Sequence, residues 1–245
     1  VALSLLVLSC GRPSETGSAI SIGEEDYISI FNRVDELLVG DLDDTVSLRD
    51  LKDVYSGKEI IGLGTTLREY NGEICFVDGS CYWADPTQNG KVVELDWEKD
   101  ALPFCAIAVV DVEKGLKFEG VEGDIRYWVA SKARELGIKL AAVKVEGIFS
   151  DVNLSIARTL PKEAGDELEN IFLTIDQKGE WTFVGFYAEC EEEQSILSVV
   201  GYPVHLHGKI RDDKFGGHLQ RAVSVYSDVT IFPLDGYTLT NRLPQ

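Results

Sequence analysis

Three dipeptides between residues 71 and 90, Asn71-Gly72, Asp78-Gly79 and Asn89-Gly90, do most to limit what this chain can become. Each joins a residue that tolerates positive φ to a glycine, the chemistry that tight hairpin turns require. The runs around them, "IIGLG", "EICFV", "SCYWAD" and "KVVEL", are rich in β-branched and aromatic residues. A meander of antiparallel strands is therefore predicted over residues 60–95. A two-residue turn at Asp78-Gly79 also sets a register, with Cys75 opposite Tyr82 and Cys81 opposite Phe76. The two thiols then point to opposite faces, and no disulfide can join them.

Strand character extends well beyond the meander. "PFCAIAVVDV" and "IKLAAVKVEGIF" are near-continuous apolar runs, as expected of strands buried on both faces. From Asn170 onward the pattern is strand after strand: "IFLTI", "WTFVGFYA", "ILSVVGYPVHLHGKI" and "HLQRAVSVYSDVTIF". Helical spacing is rarer. In "EEDYISIFNRVDELLVGD", residues Tyr27, Ile30, Phe31, Val34, Leu37 and Leu38 fall at three- and four-residue intervals and predict an amphipathic helix. "SLRDLKDVY" predicts a short second helix with Ser47 as N-cap and Leu48, Leu51 and Val54 inward. A third runs from Asp124 to a stop at Gly137. The expected class is α+β. Residues 25–165 form a mixed-sheet N-terminal domain with a few helices, and residues 166–245 an antiparallel C-terminal domain that carries a metal site.

Charge excludes one class of partner. With 42 acidic and 23 basic residues the formal net charge is −19, whereas nucleic-acid binding draws its affinity from clustered Lys and Arg. The N-terminal run "VALSLLVLSC" is too short to span a bilayer, which takes about 20 apolar residues. It reads as the remnant of a signal peptide over residues 1–9, consistent with a processed or partial chain that has no Met at position 1. The order Val7-Leu8-Ser9-Cys10 resembles a bacterial lipobox, which makes Cys10 the expected lipidation site and residues 10–24 a tether. The expected location is the cell envelope, with membrane contact only through that anchor.

All three histidines lie in one stretch, "VHLHGKIRDDKFGGH", residues 204–218. Residues two apart on a strand share a face, so His205 and His207 project together, about 7 Å apart along the backbone. A turn on Asp212-Asp213 pairs His207 with His218, their Cβ atoms about 5 Å apart. Gly216-Gly217 could add a bulge, or mark a close backbone approach near a ligand. Three convergent imidazoles suit Zn²⁺ or another first-row divalent ion. A closed structural site would need a fourth donor, for which Cys190 is a candidate, while an open site would leave a position for substrate.

At these residues the chain resembles the α-acetolactate decarboxylases. The resemblance spans residues 26 to about 223. It runs through "IGLGTTLREYNGE", "DGSCYWADPTQNGKV", "LPFCAIAVV", "VEGIFSDVNLSIARTLP", "GEWTFVGFYAE" and "GYPVHLHGKIRDDKFGGH" in order. It implies metal ligands at His205, His207 and His218, an active-site arginine at Arg158, an active-site glutamate at Glu73, and a homodimer. It further implies decarboxylation of 2-acetolactate to acetoin and CO₂. The family pattern includes a second glutamate beyond the last histidine. Here no glutamate follows Glu193, and only Asp228 and Asp235 follow His218. Either the C-terminal tail is truncated or this member lacks that acid, and the second case keeps open an alternative: a metal-binding lipoprotein of the same fold with reduced or lost activity. A cupin-like site would place a glutamate soon after the histidine pair, where Arg211, Asp212 and Asp213 stand.

Overall fold

The computed structural model describes residues 22–34, 45–65, 71–158, 172–198 and 201–240. Residues 1–21, which include Cys10 and most of the expected leader and tether, and Leu37 and Leu38 lie outside them. The N-terminal half of the described chain holds β1 (Tyr27–Phe31), β2 (Val46–Ser47), α1 (Leu48–Tyr55), β3 (Ile60–Thr65), β4 (Glu73–Val77), β5 (Ser80–Asp85), β6 (Lys91–Glu94), β7 (Ala101–Leu102) and β8 (Phe104–Val109). There follow β9 (Leu116–Asp124), α2 (Ile125–Glu135), β10 (Leu140–Ala157), β11 (Phe172–Ala188), α3 (Glu191–Leu197), β12 (Val204–Ile210), β13 (Gly216–Pro233) and β14 (Gly236–Thr240). The described chain is thus mostly β with three short helices.

The meander is present, with β3, β4, β5 and β6 as successive neighbours in a seven-stranded sheet ordered β14-β1-β8-β3-β4-β5-β6. Asp78 and Gly79 both adopt positive φ, 52° and 75°. The turn sets Cys75 opposite Tyr82 and Phe76 opposite Cys81. Both thiols are free and buried. Cys75 joins the core between the sheets and Cys81 the core beneath α1, on the other face.

Residues 27–31 are strand and not the first predicted helix. Ile28 and Ile30 pack into one core and Phe31 into the opposite one. A helix here would bury a single stripe, whereas a strand between two partners buries both faces. β1 pairs antiparallel with β8 and parallel with β14, which makes the sheet mixed. The other two helices form where expected. Asp124 caps α2 by accepting from the Tyr127 N–H, and Gly137, at φ 72°, follows its end. Ser47 occupies the N-cap position of α1 without a side-chain capping bond, and Leu48, Leu51 and Tyr55 are the buried residues. α3 stands where continuous strand was expected, and its first turn is Glu191-Glu192-Glu193, charges that favour a helix N-terminus.

The second sheet is antiparallel, ordered β10-β11-β12-β13-β9, and β10 also pairs with β13. Strands β10, β11, β12 and β13 therefore close on themselves around Phe149, Val152, Trp181 and Phe183, with Val129 and Ala133 of α2 packed in. β9 and β10 precede residue 165 yet belong to this sheet, and β14 returns to the first. The sheets thus part between β8 and β9. They face each other across Leu63, Cys75 and Phe104 on one side and Val184 and Phe186 on the other. No helix among the described residues is long and apolar enough to cross a membrane.

Candidate metal centre

The β12–β13 hairpin pairs His207 with His218, Gly208 with Gly217 and Lys209 with Gly216. Its loop is longer than the two-residue turn expected at Asp212-Asp213. The Ile210 N–H donates to the Phe215 carbonyl, the Asp213 N–H donates to the Ile210 carbonyl, and Asp213 alone takes positive φ, 57°. Both turns leave the same residues opposite one another, so the register survives. Nor do Gly216 and Gly217 bulge. A Cβ on Gly216 would lie 2.7 Å from Val92 Cγ2, and one on Gly217 would lie 3.0 Å from the Ser155 carbonyl. These glycines admit neighbouring strands, not a ligand.

His205 stands opposite Phe186 and His207 opposite Val184 on β11. Both therefore project into the core between the sheets, where His205 and His207 are 8% and 3% exposed. His205 Nε2 lies 3.0 Å from His207 Nε2 and 3.0 Å from His218 Nδ1. The outer nitrogens of the first two rings meet carbonyls. His205 Nδ1 donates to the Leu197 oxygen at the end of α3, and His207 Nδ1 donates to the Ile74 oxygen on β4 at 2.7 Å. A carbonyl only accepts, so each Nδ1 carries the proton and each Nε2 offers a lone pair inward.

Burial, and in second place the neighbouring rings for His207 and His218, holds all three histidines neutral. His205 is pushed down to about 4, and His207 and His218 well below the usual imidazole range. Glu73, on β4 beside Ile74, faces the same point from the other sheet. Its Oε2 lies 3.4 Å from His207 Nε2, and its Oε1 accepts from the Ala157 N–H at 3.0 Å. Burial pushes this carboxyl up to about 8 against the opposing pull of that N–H. It is therefore largely protonated at neutral pH.

A cavity of about 150 Å³ opens on the cluster, walled by Thr65, Glu73, Phe104, Phe172 and Ser198 together with the histidines. Arg158 is not among its lining residues. It is exposed at the end of β10 and lines an adjoining cavity with Tyr202 and Gln220, and Phe172 borders both. Cys190 is not part of the cluster, which comprises His205, His207 and His218. Asp228 stands opposite Glu146 on β10, and the Asp235 N–H bonds to Asp26, so neither acid lines the cavity. The Leu197 and Ile74 carbonyls went unread in the sequence, because every residue carries a carbonyl and only the fold selects two of them.

The donor set suits a divalent ion. Its ligand atoms all lie within 4.8 Å of one another. Two nitrogens bound tetrahedrally at 2.0–2.1 Å would stand about 3.3 Å apart, close to the 3.0 Å found between His205 and each partner. A sequence model for alpha-acetolactate decarboxylase matches residues 30–244. The chain belongs to the alpha-acetolactate decarboxylase family. The alpha-acetolactate decarboxylase of Bacillus subtilis strain 168 superposes with a TM-score of 0.70 at 21% identity, over 89% of each chain. A Staphylococcus aureus protein of unknown function, similar to alpha-acetolactate decarboxylase, superposes with a TM-score of 0.69 at 18% identity, over 87% of this chain and 88% of that one. At these identities the likeness is one of fold. A comparison with curated proteins finds no significant match. The span assigned to the alpha-acetolactate decarboxylase family includes all three histidines, Glu73 and Arg158.

Proposed function

We propose that this chain is a metal-dependent acetolactate decarboxylase, converting 2-acetolactate to acetoin and CO₂, with His205, His207 and His218 as ligands of zinc or another first-row divalent ion. The observation that carries the reading is the pair of inward lone pairs. His205 Nε2 and His207 Nε2 stand 3.0 Å apart while both Nδ1 protons are committed to carbonyls. Two such lone pairs repel unless a shared cation lies between them.

When bound, such an ion acts as a Lewis acid toward the electron pair released as the carboxylate departs. The chain's own groups do the rest. Phe104 and Phe172 wall the cavity and limit water at the carbon that must be protonated. Breaking the bond to the carboxylate leaves that carbon with an electron pair, and one proton completes acetoin. Glu73, held by the Ala157 N–H with its Oε2 3.4 Å from His207 Nε2, is placed to donate that proton. It recovers one from solvent to close the cycle. Arg158, in the adjoining cavity, is assigned to guide the anionic substrate, a task suited to a guanidinium.

The test is acetoin production by metal-depleted protein before and after zinc is restored. Turnover that returns with zinc and disappears on chelation supports the reading. No acetoin above the spontaneous background from zinc-loaded protein rejects it. Tight zinc binding with no turnover would instead favour the metal-binding alternative, which the position of Arg158 outside the histidine cavity keeps specific.

The proposal extends to export and lipidation at Cys10, on the strength of the Val7-Leu8-Ser9-Cys10 order, and to the homodimer implied by the family. Cys10→Ser should move the protein from the membrane to the soluble fraction. Light scattering should give twice the mass of the 27.1 kDa chain.

A further inference from the structure

We infer that Gln194 is a positioning residue for His205, acting through the end of α3. The inference rests on the metal reading above and adds a residue that never touches the site. Gln194 is 6% exposed, unusual for an amide on so short a helix. Its side chain is fully engaged with backbone. Nε2 donates to the Ala188 and Glu189 carbonyls at 3.0 and 3.2 Å, and Oε1 accepts from the Gly201 N–H at 2.9 Å. One amide therefore ties α3 both to the end of β11 and to the segment that leads into β12. The Gln194 main-chain carbonyl also accepts from Ser198 at 2.7 Å, closing the last turn.

That turn has a use. The last carbonyls of a helix have no partner within it and must find one outside. The Leu197 carbonyl finds His205 Nδ1, and Ser198 lines the histidine cavity. With the α3 end in place, the His205 proton stays on Nδ1 and Nε2 remains a lone pair facing His207 and His218. Without it, His205 would be free to carry its proton on either nitrogen. Outer-shell partners of this kind hold ligand rings in one tautomer, and their loss costs about 10- to 100-fold in metal affinity. Gln194 stands one step further out, on a helix whose buried apolar residues are Ile196 and Leu197.

The experiment compares wild type with Gln194→Leu, which keeps bulk and removes all three side-chain bonds. Two readouts are taken on the whole chain. The first, in metal-free protein, is the ¹⁵N signature of the His205 ring, which distinguishes the Nδ1–H tautomer from a mixture. The second is affinity for Co²⁺, by chelator competition and the visible absorption of the bound ion. A mixed His205 tautomer and cobalt affinity weaker by about 10- to 100-fold are expected. Leu51→Ala, in the core beneath α1, destabilises the fold remotely and should leave both readouts at wild type. If Gln194→Leu does not fold, Gln194→Glu provides the same readouts, since it keeps the acceptor and loses the two donated bonds. An unchanged tautomer with unchanged cobalt affinity overturns the inference alone. Wild-type protein that takes up no cobalt overturns the metal reading on which it rests.

Discussion

Glu73 Oε2 and His207 Nε2 stand 3.4 Å apart, although their strands belong to different sheets and the residues are far apart in sequence. The contact joins the one carboxyl among the described cavity residues to the most buried of the three rings. The proposed proton donor and the candidate metal centre are therefore held at a fixed distance by the packing of one sheet on the other.

Replacing Glu73 separates the two roles. Glu73→Gln keeps the shape and an acceptor for the Ala157 N–H but cannot deliver a proton. Metal content should remain near wild type while acetoin formation falls by about 10²- to 10⁴-fold, the usual range for a lost general acid. Metal analysis and a turnover assay on the same sample decide it, and turnover within threefold or so of wild type would remove Glu73 from the chemistry.

His218→Ala tests the hairpin half of the site. It deletes a donor 3.0 Å from His205 Nε2. Metal affinity should fall by more than about 100-fold, beyond the range seen for outer partners, and turnover with it. Retention of a stoichiometric ion after dialysis against chelator would contradict the assignment.

Acid should destabilise the metal-free protein. An unfolded histidine titrates near 6.5, whereas His205 is held down to about 4 by burial, and His207 and His218 are displaced the same way. Between those values the unfolded chain binds more protons, so stability is full above about pH 6.5 and is lost as pH falls toward 4. His205 alone contributes roughly 3 kcal/mol to that loss. Glu73, raised to about 8, works the other way over part of the range, one group against three. Urea unfolding at pH 7 and pH 4.5 after chelation measures the difference, and equal midpoints would refute it.

Gly147→Ala should destabilise without touching the site. Its Cβ would lie 2.3 Å from the Tyr226 carbonyl and 2.5 Å from Ser227 Cα. These are main-chain atoms in a paired strand that cannot move aside. A cost of about 1–3 kcal/mol is expected, read as a shift in the denaturation midpoint with cobalt affinity retained.

The sequence by itself was enough wherever the deciding forces are local. Positive φ at Asp78-Gly79 placed Cys75 and Cys81 on opposite faces, and strand periodicity paired His207 with His218 even though the loop turned out longer. The start of α2 at Asp124 and its stop at Gly137 were equally legible. Tertiary structure alone decided the rest. Residues 27–31 satisfy helical spacing, yet they became strand because β8 and β14 bond to both edges and both faces are buried. Spacing also could not bring Glu73 to His207, keep Arg158 out of the histidine cavity, or select the Leu197 and Ile74 carbonyls that orient two rings. Those relations depend on how two sheets and the end of one short helix pack together, and packing is a property of distant segments that no local pattern encodes.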